Sequence, residues 1–539
     1  MPSRTSFDTK DPSIKPPGGE KSASRDEQTI EIVNVAKGGG IALIGATSTR
    51  VLTYVYSLAL IWFLGAERFG QFTLALSIVM FIGLLSSLGL QQGVIRFGSI
   101  VVGTGGKAGV HQVVKSAFKV VIPASILLGL ATFLVANSFA TMVFHKPELT
   151  EILQILAVSI PFMALQSTLT AATRSMREMR WTAIVGTVQP LIALGVAIVL
   201  VLIGWGTPGA AYAYVISYIL GSGLALFYYL RMIPLEDRKG ETYPLREMLK
   251  FSIPLSMTEW MHFANERTEI FFLGLLPGSL GVSMYKIAWS LAGLETLLRQ
   301  SLEQILAPYS SDLSHKKKIN QLEALYKTTA KWGFTVALMI FLVYMLYGKE
   351  IMGIFDPSLV SGAVVLLMLA FAQLFNEFTG ACNTILIMSG RSDLTLMNTI
   401  ILFGSSIALD WLLIPRYGVI GAGIAGGTTV IFVNVLRVVE VWWTLHIHPF
   451  KMSFIKPVLA GGIASVFFFL LHKYAYPESL VVDIIAAFLF CGVFLYGIFL
   501  LKLDPADLVV VNAVRKKLIA LPLFKRVDGK LKSFRNPIV

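Results

Sequence analysis

The chain is built from apolar runs of about twenty residues, one after another, separated by short connections. Such a run, coiled at 1.5 Å per residue, spans the hydrocarbon core of a bilayer. A helix satisfies its backbone polar groups within its own segment, as lipid requires. With 55% hydrophobic and 14% charged residues, a water-soluble fold could not cover its apolar surface. The pattern predicts an all-α polytopic membrane protein with about 14 transmembrane helices. They fall at residues 41–64, 70–95, 117–143, 151–173, 181–203, 209–232, 249–276, 281–307, 331–355, 361–389, 394–414, 418–443, 454–475 and 480–501.

The net charge of +13 would suit a nucleic-acid partner, but its distribution argues against one. Lys107, Lys115, Lys119, Arg174, Arg177, Arg180 and Lys316–Lys318 occupy alternate connections, whereas Gly65–Arg68, Gly204–Pro208 and Leu276–Ser279 are short and nearly uncharged. Lys and Arg divide about twenty to five between the two sets, which by the positive-inside rule predicts a cell (inner) membrane protein with both termini cytoplasmic. Residues 1–36 are polar, with Pro16, Pro17, Gly18 and Gly19, and read as a disordered cytoplasmic tail. They lack the apolar centre of a signal peptide, so the first helix is expected to serve as its own insertion signal. Residues 502–539 place Leu508, Val511, Val514 and Leu518 among Arg515, Lys516 and Lys517, as in a basic amphipathic tail on the cytoplasmic leaflet. Cys382 and Cys491 stand in apolar runs without pairing or metal spacing and read as buried thiols.

Internal similarity divides the chain. Phe63-Leu64-Gly65 ends one span and Phe272-Leu273-Gly274 ends another, six spans later. Gly206-Thr-Pro-Gly209-Ala210-Ala-Tyr-Ala213 and Gly418-Val-Ile-Gly421-Ala422-Gly-Ile-Ala425 share G-x-x-G-A-x-x-A, and Arg180 and Arg391 precede them. An even number of intervening spans means a parallel repeat, related by an axis along the membrane normal. The reading is two six-helix lobes, residues 37–232 and 249–443, followed by two appended helices in 454–501.

Ionisable groups inside spans are costly, about 2.5–3.5 kcal/mol each on insertion scales, and so mark function or paired structure. On a helical wheel Glu259, His262, Asn265, Glu266 and Glu269 share one arc of about 120°, with Arg267 beside it. Such a stripe must face another helix or a wet cavity. Arg50 in the first span and Lys286 in the eighth join it as cavity candidates. Asp410 and Glu377 read either as cation-coupling carboxylates or as neutralisers of nearby Arg and Lys. Glu295, Arg299 and Glu303 stand at i,i+4 steps and could pair along one helix. His262 reads equally as a proton switch or a hydrogen-bonded structural residue.

Gly421-Ala-Gly-Ile-Ala-Gly-Gly427 lacks the preceding strand and the Lys-Ser/Thr of a phosphate loop, and serves close helix packing instead. With no hydrolase elbow, no metal-ligand spacing and very short outer loops, the sequence points to a transporter rather than an enzyme. No cofactor is expected, with H+ or Na+ coupling left open.

Several motifs carry a resemblance. Lys37-Gly-Gly-Gly precedes the first span, followed by Phe63-Leu-Gly-Ala-Glu-Arg-Phe-Gly-Gln-Phe, Ser86-Ser-Leu-Gly-Leu and Arg96-Phe97; Gly390-Arg391 and Ile414-Pro-Arg-Tyr-Gly418 lead to Gly421-Ala422. Over about residues 35–500 the chain resembles the polysaccharide (Wzx-like) flippases of the MOP exporter superfamily. The resemblance implies two lobes in a V around a central cavity, and movement of polyprenyl-diphosphate-linked oligosaccharide from the cytoplasmic to the outer leaflet by alternating access. It implies that Arg50, Arg267 and Lys286 meet diphosphate or acidic sugar, with lipid-linked oligosaccharide, membrane lipids and glycan-assembly enzymes as partners. The three glutamates beside Arg267 depart from a purely cationic cavity and leave a neutral or amine-bearing glycan open. Alternatives are a cation-coupled, MATE-like small-molecule exporter and a non-transporting membrane subunit of a polysaccharide synthase complex.

Overall fold

The computed structural model describes residues 45–233, 243–475 and 480–501, and every regular element within them is helical. The tails expected at 1–36 and 502–539 lie outside the described residues. The first half runs α1 (45–64), α2 (Ala66–Ser86), α3 (Leu90–Ser138), α4 (Leu149–Ala157), α5 (Ser159–Ser175), α6 (Met179–Leu200) and α7 (Gly206–Met232). The second runs α8 (Leu245–Asn265), α9 (Thr268–Gly274), α10 (Leu280–Ala292), α11 (Thr296–His315), α12 (Ile319–Phe355), α13 (Ala363–Thr379), α14 (Cys382–Met388) and α15 (Ser392–Leu445). Last come α16 (Ile455–Ala475) and α17 (Leu480–Leu500).

The longest helices fold back on themselves. A straight α15 would hold Asn398 and Glu440 roughly 60 Å apart, yet Asn398 Nδ2 donates to Glu440 Oε2 at 2.6 Å. The reversal is at Gly418, whose φ of 56° and ψ of −132° are open to glycine. Gly206 takes the same conformation, φ 56° and ψ −137°, where α6 turns into α7. At the far end of that hairpin Trp181 stacks on Tyr228 with ring centroids 4.0 Å apart. α3 reverses between Val101 and Gly109, since a Cβ at Gly109 would overlap the Val101 side chain.

Turn geometry recurs at a constant interval. Gly206 and Gly418 match, as do Gly65 (φ 80°) and Gly278 (φ 73°). Arg177 (φ 61°) and Gly390 (φ 82°) close helices with the same bonds: Arg177 N–H to Arg174 O and Glu178 N–H to Thr173 O, then Gly390 N–H to Ile387 O and Arg391 N–H to Leu386 O. The Phe-Leu-Gly match of the sequence is four residues out of this register: the turn glycine answering Gly65 is Gly278, while Gly274 still belongs to α9.

By length and apolar composition, eight described helices can cross a membrane, or nine if α4 and α5 form one bent span. Two of the eight, 179–232 and 392–445, contain the reversals just described. The helices from α8 to α11 fall outside that set; Glu259, Glu266, Arg267, Glu269, Glu295 and Arg299 interrupt their apolar runs. The expected fourteen spans are thus not matched by fourteen apolar helices.

The two ends of the bundle differ. One, charge-poor, carries the turns at Gly65, Gly206, Gly278 and Gly418, with Trp62, Trp205, Trp411 and Tyr417 exposed around it. The other, basic, carries Lys115, Arg177, Lys316–Lys318 and Arg391, with Trp442 and Trp443 exposed. Aromatic rings at both ends fit the two faces of a bilayer. The core differs too. Toward the charge-poor end one continuous cluster joins both halves, from Tyr56, Phe72 and Leu153 to Tyr285, Leu366 and Ile414. Toward the basic end it divides: Leu90, Val114, Leu169 and Tyr229 belong to one cluster, Leu322, Tyr326, Ile385 and Val441 to another. The base of α8 joins the first of these through Met248 and Leu249. The halves thus share one core at the charge-poor end, whereas toward the basic end their cores are separate and they meet through α3 and α8, Phe97 packing on Phe251 and Gly93 on Ser252. A fourth cluster seats α16 and α17 on α12 through Phe468, Phe490 and Phe494.

Candidate functional site

The polar helix of the seventh span is broken. α8 stops at Asn265 and α9 starts at Thr268, with Arg267 between them at φ −126° and ψ −2°. The break rotates α9 relative to α8, so the single polar arc expected from the wheel splits in two. Glu259 is half-buried and His262 and Glu266 are exposed, whereas Glu269 is buried. Glu269 is thus set apart from His262 and Glu266, because the wheel assumed an unbroken helix.

The break also places Arg267. Its guanidinium lies 5.5 Å from the Phe263 ring centroid, and its Nε is buried without a hydrogen-bond acceptor. Lys286 on α10 is within electrostatic reach of both Arg267 and Glu266. Among the described residues no carboxylate stands within 4.0 Å of the Lys286 or Arg267 side chain. Asn265 Oδ1, just before the break, is also buried without a partner. Arg267 and Lys286, within electrostatic reach of each other and of Glu266, offer two basic side chains to an anion.

The remaining candidates go elsewhere. Glu269 reaches toward the Tyr285 hydroxyl and Asp410; a Cβ on Gly426 would lie 2.9 Å from Glu269 Oε1 and 3.0 Å from Tyr285 Oη, so glycine is needed for room there. Asp410 is fully buried, with Ser406 Oγ donating to Oδ2 at 3.4 Å and Oδ1 unpartnered. Glu377 is buried and neutralises Arg299, whose Nε is 3.2 Å from Oε1. Arg299 also pairs with Glu303 at 3.3 Å, which keeps half of the expected ladder; Glu295 instead accepts from Thr296 Oγ1. Arg50 is half-buried and faces Tyr54 and Glu295 rather than Lys286. Cys382 is buried beside the Tyr326 hydroxyl, while Cys491 is only half-buried.

Two sets of residues escaped the sequence reading. The first is a seam between α3 and α8. Gln91 Nε2 donates to Glu259 Oε2 at 3.0 Å and Gln92 Nε2 to Oε1 at 2.7 Å. Below this pair, Gly89 and Gly93 let α3 approach Ser252 and Ser256, leaving no room for a Cβ. The second is a latch at the charge-poor end. The Glu67 carboxylate accepts the Ser279 N–H at the start of α10, and the Ser283 hydroxyl donates to Ala66 O. In return Asp356 accepts the Ala66 N–H at 3.2 Å, so each half caps a helix N-terminus of the other. Lys146 Nζ donates to Gly274 O at 2.7 Å, and Trp62 Nε1 to Ile354 O at 2.7 Å. Burial pushes the Asp356 carboxyl up, but the Ser358 hydroxyl and the Ser358 and Ala66 N–H groups outweigh it and hold it below the usual carboxylate range. Burial lowers the Lys146 ammonium, with Glu67 and Glu148 opposing the shift. Asp356-Pro357 is readable as a cap for its own turn; its reach across to α2 is not.

The polysaccharide biosynthesis protein family model matches residues 59–355, more than half of the chain. The chain belongs to this family. The probable flippase AglR of Haloferax volcanii is 23% identical over 239 residues, 44% of this chain and 50% of AglR. The match thus spans about half the length of that relative. Among solved structures, a lipid II flippase MurJ in an inward closed conformation superposes with a TM-score of 0.68 at 15% identity, over 84% of this chain and 97% of that one. An inward-facing multidrug resistance MATE family transporter of the MOP superfamily superposes with a TM-score of 0.59 at 17% identity, over 75% and 98%. At these identities the likeness establishes the fold alone, an all-helical architecture like that of these two transporters, in a multi-pass membrane protein.

Proposed function

We propose that the chain is a flippase that moves a polyprenyl-diphosphate-linked oligosaccharide from the cytoplasmic to the outer leaflet by alternating access, and is not an enzyme. The observation that carries this reading is the Arg267–Lys286 pair, two basic side chains within electrostatic reach of each other. The basic end is the cytoplasmic one by the positive-inside rule, with both termini on that side. The head group enters from that end when the α3–α8 contact releases, and the latch at the other end keeps the outer side shut. A diphosphate and its sugars cannot cross hydrocarbon unaided without losing their hydration, a loss worth tens of kcal/mol by the logic of buried charge. Arg267 and Lys286 replace hydration of the phosphates while the polyprenyl tail stays in lipid. Arg50 serves at the basic end, where Glu295 tempers its charge. Glycan-assembly enzymes on the cytoplasmic face would supply the substrate.

A second reading, a cation-coupled exporter of small molecules, is favoured by the buried carboxylates Glu269 and Asp410, whose Oδ1 has no partner. They suit H+ or Na+ coupling equally well within a flippase. Glycan export in cells tests the main reading. The Arg267→Ala/Lys286→Ala double variant, present in the membrane at wild-type level, abolishes export if the diphosphate role holds and leaves it intact if it does not.

A further inference from the structure

The flippase reading says what anchors the substrate but not which glycans it accepts. The face of α8 toward the basic end carries different chemistry from the cationic pair. Glu259, His262 and Glu266 follow one another at i, i+3 and i+7 and are half-buried or exposed. Gln91 and Gln92 on α3 meet Glu259 from the opposite half of the chain. Arg174 is within electrostatic reach of Glu259 from α5, but Arg174 Nε bonds Thr170 O at 3.4 Å and forms no ion pair within 4.0 Å of it. Glu259 therefore has its charge met by two neutral amides rather than by a close cation.

We infer that Gln91, Gln92 and Glu259 form the glycan subsite of the transport path, selecting an uncharged or amine-bearing sugar and rejecting an acidic one. The inference rests on the flippase reading and deepens it. An ionised carboxylate has about four lone-pair positions. The two glutamine bonds use two of them, and the remainder can accept sugar hydroxyls or an ammonium. Each glutamine keeps a second N–H and a carbonyl oxygen, so the pair offers donors and acceptors side by side, as a vicinal diol requires. A uronate or other anionic sugar at this point would meet like charge at the Glu259 carboxylate and at the exposed Glu266 beyond it. Specificity of this kind depends on repulsion of the wrong ligand as much as on attraction of the right one. His262 stands between the two carboxylates on the same face and brings no fixed charge in its neutral form. The charge pattern along the path thus separates two tasks: phosphate at Arg267 and Lys286, hydroxyl-rich sugar at Glu259.

The test uses the full chain in lipid nanodiscs and two polyprenyl diphosphate trisaccharides, alike except that one carries a hexuronic acid in place of a neutral hexose. Equilibrium binding is measured for both, with wild type, Glu259→Gln and Gln91→Ala/Gln92→Ala. Wild type is expected to bind the neutral glycan about tenfold more tightly. Glu259→Gln keeps the shape of the seam without its charge, and the ratio of the two affinities is expected to fall to about threefold or less. A purely structural seam would weaken both ligands together in the glutamine and glutamate variants and leave the ratio at its wild-type value, which overturns the inference. Equal wild-type binding of the two glycans also overturns it while sparing the flippase reading. If neither trisaccharide binds more tightly than the same polyprenol without phosphate, the flippase reading itself fails and this inference with it.

Discussion

The carboxylate of Glu67 holds the backbone N–H of Ser279, so the first residues of α2 cap the start of its counterpart α10 in the other half of the chain. Asp356 performs the reverse service for Ala66. The capping is reciprocal, and both bonds must break before the charge-poor end can open. Because each acid meets a positive helix N-terminus, the contact is charge-assisted and specific to the closed state.

Removing Glu67 should therefore shift the population toward an open charge-poor end. A capping acid is worth about 0.5–2 kcal/mol, enough to change the ratio of states by up to about thirtyfold. Distances between spin labels placed at Gln71 and Ser361 should lengthen in Glu67→Ala relative to wild type. Unchanged distances would mean that the apolar core alone keeps this end shut.

Asp356 gives the latch a pH dependence of known sign. Its carboxyl is held below the usual range in the closed form, so its contribution is fully present above the ordinary aspartate value of about 3.9 and is lost as pH falls through the lowered value. The spin-label distance should stay constant from pH 7 to pH 5 and lengthen only below about pH 4. Asp356→Asn should produce at pH 7 what acid produces in wild type.

Gly418 should not tolerate a side chain. Its positive φ costs an L-residue about 1–2 kcal/mol, and the hairpin it closes carries the Asn398–Glu440 bond and the buried Asp410. Gly418→Val should lower the thermal midpoint of the purified protein by several degrees. Gly404→Val, in the same helix with open space around its Cβ, should lower it much less.

Most of the fold was legible because it rests on patterns that do not depend on context. Apolar runs gave the helices, and the two G-x-x-G-A-x-x-A motifs suggested a repeat whose two turns have matching backbone angles at Gly206 and Gly418. Where a local pattern was carried across a helix break, it failed. The wheel put Glu269 with His262 because nothing in the sequence marks Arg267 as the point where α8 ends. Phe-Leu-Gly was matched by composition, whereas the turn itself is set four residues further on.

The site was partly legible for the same reason. Arg267 stood out beside a polar stripe and Lys286 as a charge within the eighth span, and the two lie within electrostatic reach of each other. Arg50 stood out equally, yet its neighbours Tyr54 and Glu295 come from its own helix and from the start of α11, a meeting decided by tertiary packing. Glu67, Lys146 and Asp356 drew no attention, since acids and lysines beside turns are ordinary in short loops. Only the approach of the two halves gives them a role.

The flippase assignment is tested most directly by transbilayer movement measured in proteoliposomes. A polyprenyl diphosphate oligosaccharide with a fluorescent terminal sugar is placed in both leaflets, and the fraction open to an added membrane-impermeant glycosidase is followed with time. Wild type should expose the inner-leaflet pool, and Arg267→Ala/Lys286→Ala should leave it protected as in empty liposomes. Protection by wild type under the same conditions, or equal exposure by the double variant, would contradict the assignment.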